Sequence, residues 1–194
     1  VYLCDNQGWS EHPDLIFKGR VLKLKVTDDG DILETTVVAY GMEHPNGIRI
    51  KDGYMYVTQS YLHPVKREDG KLVSCVYRFS IDEHDIHISN TLKDENIFAT
   101  FVTENPDCQY GADGIVFGPD GALYVGNFGD GAVYRLTFKE DGSLAENKIF
   151  AQDAKNLQST DGMIFDDNGN LYIADFSANA IAKVTPDGKV ERIA

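Results

Sequence analysis

Three oxygen-bearing side chains stand at equivalent places in the sequence. Asn46, Asp113 and Asp161 each precede a glycine and an apolar run, in PNGIRI, ADGIVF and TDGMIF. No His or Cys occupies a matching position beside them. Amide and carboxylate oxygens without nitrogen or sulfur partners suit a hard cation such as Ca²⁺ better than Zn²⁺. The three residues are therefore candidate ligands of a divalent metal.

The spacing alone leaves a second interpretation open, because Asn and Asp also commonly begin strands. Other Asp-Gly and Asn-Gly pairs of the chain lie inside hairpins, where the geometry of a tight turn explains them. These pairs are Asp52-Gly53, Asp120-Gly121, Asn168-Gly169 and Asp187-Gly188.

The elements that must position the candidate ligands follow from an internal repeat. Residues 113–136 align without a gap on residues 161–184, an offset of 48 residues. A repeat of roughly 40–50 residues is typical of a propeller blade. Each copy contains short alternating apolar runs separated by Asp-Gly or Asn-Gly, which predicts four strands, and no long segment has helical spacing. The sequence therefore predicts an all-β fold of four-stranded propeller blades.

The repeat extends over the chain as about three and a half blades in one domain, residues 1–194. Residues 1–5 match the second strand of a blade, with no first strand before them. Because propellers usually have four to eight blades, we expect this domain to be incomplete on its N-terminal side by roughly two blades.

Composition narrows the possible partners. The 194 residues are 42 % hydrophobic, enough for a core, and carry a formal net charge of −13. Such a surface repels nucleic acid and anionic membranes, and no run of about 20 apolar residues is present. We expect a small-molecule ligand and neither a nucleic-acid nor a membrane partner. No signal segment is visible, and the compartment and oligomeric state stay open.

The spacing of the cysteines argues against two further kinds of site. Cys4, Cys75 and Cys108 are far apart, odd in number and form no CxxC pair. This pattern predicts neither a disulfide framework nor a zinc site.

One blade contains an insertion of 11 residues within Tyr61 to Ser74, compared with its neighbour. Long loops at the end of a blade commonly lie over a site. Tyr61 and His63, which this loop carries, are therefore candidate substrate-binding residues. A solvated surface loop is the alternative.

The ordered run HPNGI, YVTQS, VYRFSID, ADGI and DGALYVGN resembles the senescence-marker-protein/gluconolactonase family of six-bladed, regucalcin-like propellers. The resemblance covers almost the whole chain. It implies that Asn46 and Asp113 are two of four side-chain ligands of a metal, usually Ca²⁺, at the mouth of the propeller channel. The family's N-terminal glutamate ligand and earlier Asn-Asp motif would precede Val1.

A second register is also compatible with the resemblance. Asp161-Gly162-Met163 fits the family's Asp-Gly-Met motif about as well as the segment at Asp113 does. In that register Asp113 replaces the family's Asn ligand, and Asn46 is the ligand before it. The long loop after Ser60 resembles the loop after the family's Asn-Gly blade, which favours the first register.

The resemblance implies a calcium-dependent hydrolase of lactones or of related esters or phosphotriesters, with Asp113 as a metal ligand and the catalytic residue. The alternative is a non-catalytic propeller of the NHL type that binds a ligand or a protein, because residues 168–175 also resemble the NHL repeat. A propeller resembling strictosidine synthase is a further alternative.

Overall fold

The computed structural model describes residues 1–6, 12 and 14–194. Every regular element assigned in these residues is a β-strand. The strands form four four-stranded sheets, which confirms the all-β prediction. No helix in the described residues is long and apolar enough to cross a membrane. The strands are, in chain order, β1 Tyr2–Asp5, β2 Gly19–Val26, β3 Ile32–Met42, β4 Pro45–Lys51, β5 Tyr54–Gln59, β6 Leu72–Ser80, β7 Ile86–His87, β8 Ile97–Thr103, β9 Ala112–Phe117, β10 Leu123–Asn127, β11 Ala132–Phe138, β12 Leu144–Gln152, β13 Met163–Phe165, β14 Leu171–Asp175, β15 Ala180–Val184 and β16 Val190–Arg192.

Three of the sheets are complete blades with antiparallel neighbours, in the orders β4-β5-β6-β8, β9-β10-β11-β12 and β13-β14-β15-β16. The first sheet has the order β1-β2-β3-β7, so β1 takes the place of a second strand, as predicted. The sequence did not predict β7, which pairs in parallel with β3 through only two residues. A strand of two residues is too short to show an alternating pattern in the sequence. In the loop between β1 and β2, residues 7–11 and 13 lie outside the described residues.

The two clean sequence repeats fold in the same register. Tyr124 pairs with Val116, and Tyr172 pairs with Ile164 at the corresponding place one blade later. The hairpin glycines Gly121 and Gly169 have φ angles of 79° and 78°. Glycine reaches this left-handed region without a steric penalty, which explains why both turns keep it.

The core lies between successive blades. Side chains alternate between the two faces of a strand, and each face of an inner blade packs on a different neighbour. In β10, Leu123 and Val125 pack with Phe101 of the preceding blade. Tyr124, between them, packs with Ile173 of the following blade. Alternation along each strand therefore joins the blades through two apolar layers per sheet.

Buried polar side chains at the end of each second strand add a further connection. Gln59, Asn127 and Asp175 occupy equivalent positions and are almost completely buried. Gln59 Oε1 accepts a hydrogen bond from the backbone N–H of Glu43 at 3.1 Å, and Asp175 Oδ1 accepts one from Ser159 at 2.9 Å. These contacts fix the segment that enters each inner strand.

The three cysteines are free, as their spacing predicts. Cys75 is completely buried, and Cys4 packs against the same cluster between the first two sheets. Burial raises the pKa of both thiols, so they remain protonated and act as core residues.

The inner strands of neighbouring blades approach each other most closely at two glycines. A Cβ on Gly47 would lie 2.5 Å from Ile115 Cγ2 and 3.0 Å from the backbone oxygen of Asp113. A Cβ on Gly114 would lie 2.0 Å from the backbone oxygen of Asp161. Gly47 and Gly114, which follow the candidate ligands Asn46 and Asp113, therefore give room for the backbone of the next candidate ligand.

We expect Gly114→Ala to destabilise the protein by about 1–3 kcal/mol, because its methyl group overlaps backbone that cannot move aside easily. Urea denaturation followed by circular dichroism measures the change. Gly162→Ala is the matched control, since a Cβ there meets nothing within 4 Å, and its effect should stay within about 0.5 kcal/mol. Equal effects of the two substitutions would contradict the close-packing explanation.

Candidate functional site

The structure brings the three candidate ligands to the same end of neighbouring inner strands. Asn46 lies in β4, Asp113 lies in β9, and Asp161 stands two residues before β13. Strand β9 contacts both β4 and β13. Asp113 is therefore the central member of the set, with Asn46 on one side and Asp161 on the other.

Hydroxyl groups of the preceding blade hold Asp113 in place through its backbone. Thr58, which is completely buried, accepts a hydrogen bond from Gly47 N at 2.8 Å and donates one to Asp113 O at 2.7 Å. Ser60 Oγ donates to the backbone oxygen of Ala112 at 2.8 Å. These bonds fix the entry of β9 relative to β4, so the position of the Asp113 side chain is set by two blades together.

Asp113 is 3 % exposed, and its Oδ1 atom has no hydrogen-bond partner among the described residues. Burial, and secondarily the nearby charge of Asp161, raises the pKa of Asp113 to about 8. A buried carboxylate without a partner is costly, whereas a bound cation would relieve both the desolvation and the repulsion. This unpartnered oxygen is the strongest indication of a ligand in the set.

Asn46 is oriented by a buried phenol. Its Nδ2 atom donates a hydrogen bond to Tyr110 Oη at 3.5 Å. Burial and the nearby Asp113 charge raise the pKa of Tyr110, which therefore stays protonated. Because the amide nitrogen of Asn46 faces Tyr110, its oxygen faces away, and no described residue donates a hydrogen bond to it.

The donor set fits a hard divalent cation. Asn46, Asp113 and Asp161 offer only oxygen atoms, and one of them is buried without a partner. Oxygen donors of this kind are the preferred ligands of Ca²⁺. Among the described residues, no three His, Cys, Asp or Glu side chains form a cluster that could hold a metal. The candidate set is not of that kind, because it contains only two carboxylates, Asp113 and Asp161, and its third oxygen donor is the amide of Asn46.

An aromatic row extends from this set along the loop between β5 and β6, residues 60–71, which contains most of the segment predicted to hold the insertion. Tyr61 packs edge-to-face on Tyr110, with ring centroids 5.1 Å apart. The His63 ring stacks on Tyr61 at 4.9 Å and 21°, and the His44 ring lies 4.8 Å from Tyr61 on a tilt. The structure therefore places the predicted substrate-binding residues Tyr61 and His63 in contact with each other and, through Tyr110, with Asn46.

The sequence interpretation missed two residues of this region, Tyr110 and Glu43. Each stands three residues before a candidate ligand, Asp113 and Asn46 respectively. That shared offset is the signal that could have identified them. Without the fold, however, a Tyr and a Glu at this offset have nothing in common.

A separate cleft of about 560 Å³ lies between the second and third blades at the hairpin ends of β4 and β9. Two of its cations, Lys51 and Arg78, have partners in the neighbouring blade. Lys51 Nζ donates to Gly121 O at 2.7 Å, and Arg78 donates to Gly142 O. Both contacts cross from one blade to the next. The cleft is therefore a junction between blades at the opposite end from the candidate ligands.

The sequence model of the SMP-30/gluconolactonase/LRE-like region matches residues 47–194. The chain belongs to this family. The match includes Asp113 and Asp161 and begins one residue after Asn46. No curated protein matches the sequence of the chain.

Solved structures share the fold at low sequence identity. A gluconolactonase from Xanthomonas campestris aligns with a TM-score of 0.52 and 18 % identity, covering 89 % of this chain and 57 % of its own. A luciferin-regenerating enzyme aligns with a TM-score of 0.57 and 15 % identity, over 95 % and 59 %. An aldose sugar dehydrogenase from Streptomyces coelicolor in its PQQ-bound form aligns with a TM-score of 0.57 and 12 % identity, over 91 % and 59 %.

These likenesses concern the fold alone. The chain spans less than two thirds of the length of each of these three structures. They confirm a partial β-propeller, while their different activities show that function must be argued from the site.

We expect the Asp113 carboxyl to titrate near pH 8 in the metal-free protein, as measured by carbon-13 NMR of its side chain. Because the folded state keeps a proton that the unfolded state releases, Asp113 makes stability fall as pH rises from about 4 through about 8. Asp161→Asn should lower the pKa of Asp113 by removing the second cause of the shift. The exposed control Asp167→Asn should leave it unchanged. A pKa of Asp113 in the ordinary range would contradict this description of the site.

Proposed function

We propose that the chain contributes to a metal-dependent hydrolase site that acts on lactones or on related esters or phosphotriesters. The observation that carries the proposal is the buried Asp113 carboxyl, with an unpartnered oxygen, between the oxygen donors Asn46 and Asp161. Family membership and the likeness to a gluconolactonase support it. Because the chain spans only part of these relatives, the substrate and activity of the whole protein are included in the proposal.

Asn46 and Asp113 would hold the cation, which we propose to be Ca²⁺, with Asp161 as the ligand of the alternative register. When bound, such an ion polarises a carbonyl group and stabilises the oxyanion formed when water attacks. The neutral Asn46 amide adds an oxygen donor without adding negative charge.

Asp113 is proposed as the general base for the attacking water. Burial and the Asp161 charge raise the pKa of Asp113 when no cation is bound; a bound cation would lower this pKa and keep the carboxylate ionised, as a group that accepts a proton from water must be. The backbone contacts from Thr58 and Ser60 hold the residue in one position, which favours a defined approach of water.

The aromatic row is proposed to orient the substrate. Tyr61 is partly exposed and offers ring surface on which an apolar face of a cyclic substrate can pack, and the buried Tyr110 connects this ring to Asn46. His63 lies at the far end of the row. In this proposal the Asp113 carboxyl is the reactive end of the site, and the aromatic row is the surface that binds the substrate.

We expect Asp113→Asn to lower Ca²⁺ affinity and lactone turnover together, turnover by about a hundredfold or more, with little loss of thermal stability. Isothermal titration with calcium chloride and a pH-stat assay with D-glucono-1,5-lactone, in calcium and in chelator, measure the two effects. Asp167→Asn, an exposed turn residue, is the control and should change neither.

Three outcomes would decide against parts of the proposal. Unchanged turnover in Asp113→Asn would remove Asp113 from the mechanism. Loss of activity in Asp161→Asn with normal activity in Asp113→Asn would favour the second register. Calcium binding without hydrolysis of lactones, esters or phosphotriesters would favour the non-catalytic propeller.

A further inference from the structure

One carboxylate close to the candidate site, that of Glu43, has hydrogen bonds to a single residue within the described part of the chain. The Glu43 side chain is completely buried, and its two oxygens face the same histidine. Glu43 Oε2 accepts a hydrogen bond from the backbone N–H of His63 at 3.1 Å, and Oε1 pairs with His63 Nδ1. A buried carboxylate needs such donors, because leaving it unpaired is costly.

This pairing determines which nitrogen of His63 carries the proton. An ionised carboxylate only accepts hydrogen bonds, so Nδ1 must be the protonated nitrogen. In the neutral ring Nε2 is then left as an acceptor. The His63 side chain is 47 % exposed, and no described residue contacts Nε2 by a hydrogen bond. The His63 ring is therefore held by Glu43 at Nδ1, and its Nε2 is available to accept a hydrogen bond from a ligand.

The ring is also held in orientation and distance from the candidate ligands. It stacks on Tyr61, and Tyr61 contacts Tyr110, with centroid spacings of 4.9 and 5.1 Å. Tyr110 in turn accepts the hydrogen bond of Asn46. Two ring spacings separate His63 from Tyr110, which suits the distal part of a cyclic substrate better than its carbonyl group.

We propose that Glu43 is a positioning residue that holds His63 as its Nδ1–H tautomer, so that Nε2 accepts a hydrogen bond from a hydroxyl of a polyhydroxylated lactone lying along Tyr61. This inference rests on the proposed function. A neutral substrate is favoured because Glu43, Asp113 and Asp161 place three carboxyl groups around the region and the chain carries a net charge of −13. A hydroxyl supplies the donor that an unprotonated Nε2 requires.

The first test needs no activity. Long-range proton–nitrogen-15 NMR of the imidazole groups should identify His63 as the Nδ1–H tautomer, and Glu43→Gln should increase the Nε2–H form, which is favoured in a free imidazole. Asp85→Asn is the matched control, since Asp85 is an exposed carboxylate 2.9 Å from His84 Nδ1. It should leave the His63 signals unchanged. An Nε2–H tautomer of His63 in the unsubstituted protein would overturn the proposal.

The second test separates binding from chemistry. His63→Phe keeps a ring for stacking and removes Nε2, so KM for D-glucono-1,5-lactone should rise about tenfold, the worth of one hydrogen bond, with kcat nearly unchanged. Glu43→Gln should act in the same direction. For δ-valerolactone, which has no hydroxyl group, KM should not change. An equal rise of KM for both lactones, or a loss of kcat, would overturn the assigned role.

If the proposed hydrolase function is wrong, a separate binding experiment still tests the hydroxyl-binding role of His63. If the unsubstituted protein hydrolyses no lactone, binding of the cyclic polyol myo-inositol is measured instead, through the nitrogen-15 shift of His63 Nε2. A saturable shift that is absent in Glu43→Gln would support a hydroxyl-binding role of His63 without catalysis. No shift at saturating polyol would reject the subsite as well.

Discussion

The site depends on how closely the inner strands of neighbouring blades approach each other. At Gly47 and Gly114 a single added carbon atom would overlap the next blade. This contact sets the distance between successive strand entries, and the side chains just before the glycines are carried with them. Asn46 and Asp113 are therefore brought towards one place by backbone packing, before any interaction between the side chains themselves.

Two buried aspartates of this fold differ in how far their carboxyl groups are satisfied by hydrogen bonds. Asp175 is 1 % exposed and accepts hydrogen bonds from the backbone of residues 158, 159 and 178. Asp113 is 3 % exposed, yet its Oδ1 accepts no hydrogen bond from any residue that the structure describes. Asp175 fits a structural role completely, because its charge is compensated within the blade. At Asp113 the compensation is incomplete, and this is the physical reason to expect a ligand there.

The fold does not decide between activities, because a gluconolactonase and an aldose sugar dehydrogenase share it. What distinguishes this chain is the surroundings of Asp113. Tyr110 connects the metal-ligand candidate Asn46 to the ring of Tyr61, and Glu43 fixes the histidine beyond it. The acid, the amide and the aromatic row come from two blades and one inserted loop, and only their combination suggests a substrate.

The sequence by itself determined the all-β fold, the blade boundaries and the three Asn-Gly and Asp-Gly entries. Strand alternation and turn glycines are local properties, and a repeat of 48 residues is visible without coordinates. It did not determine β7, the burial of Asp113 or the pairing of Glu43 with His63. These arise from contacts between residues such as 43 and 63, or 47 and 113. The packing of the blades determines which of these distant residues come into contact, and that packing is a property of the tertiary structure alone.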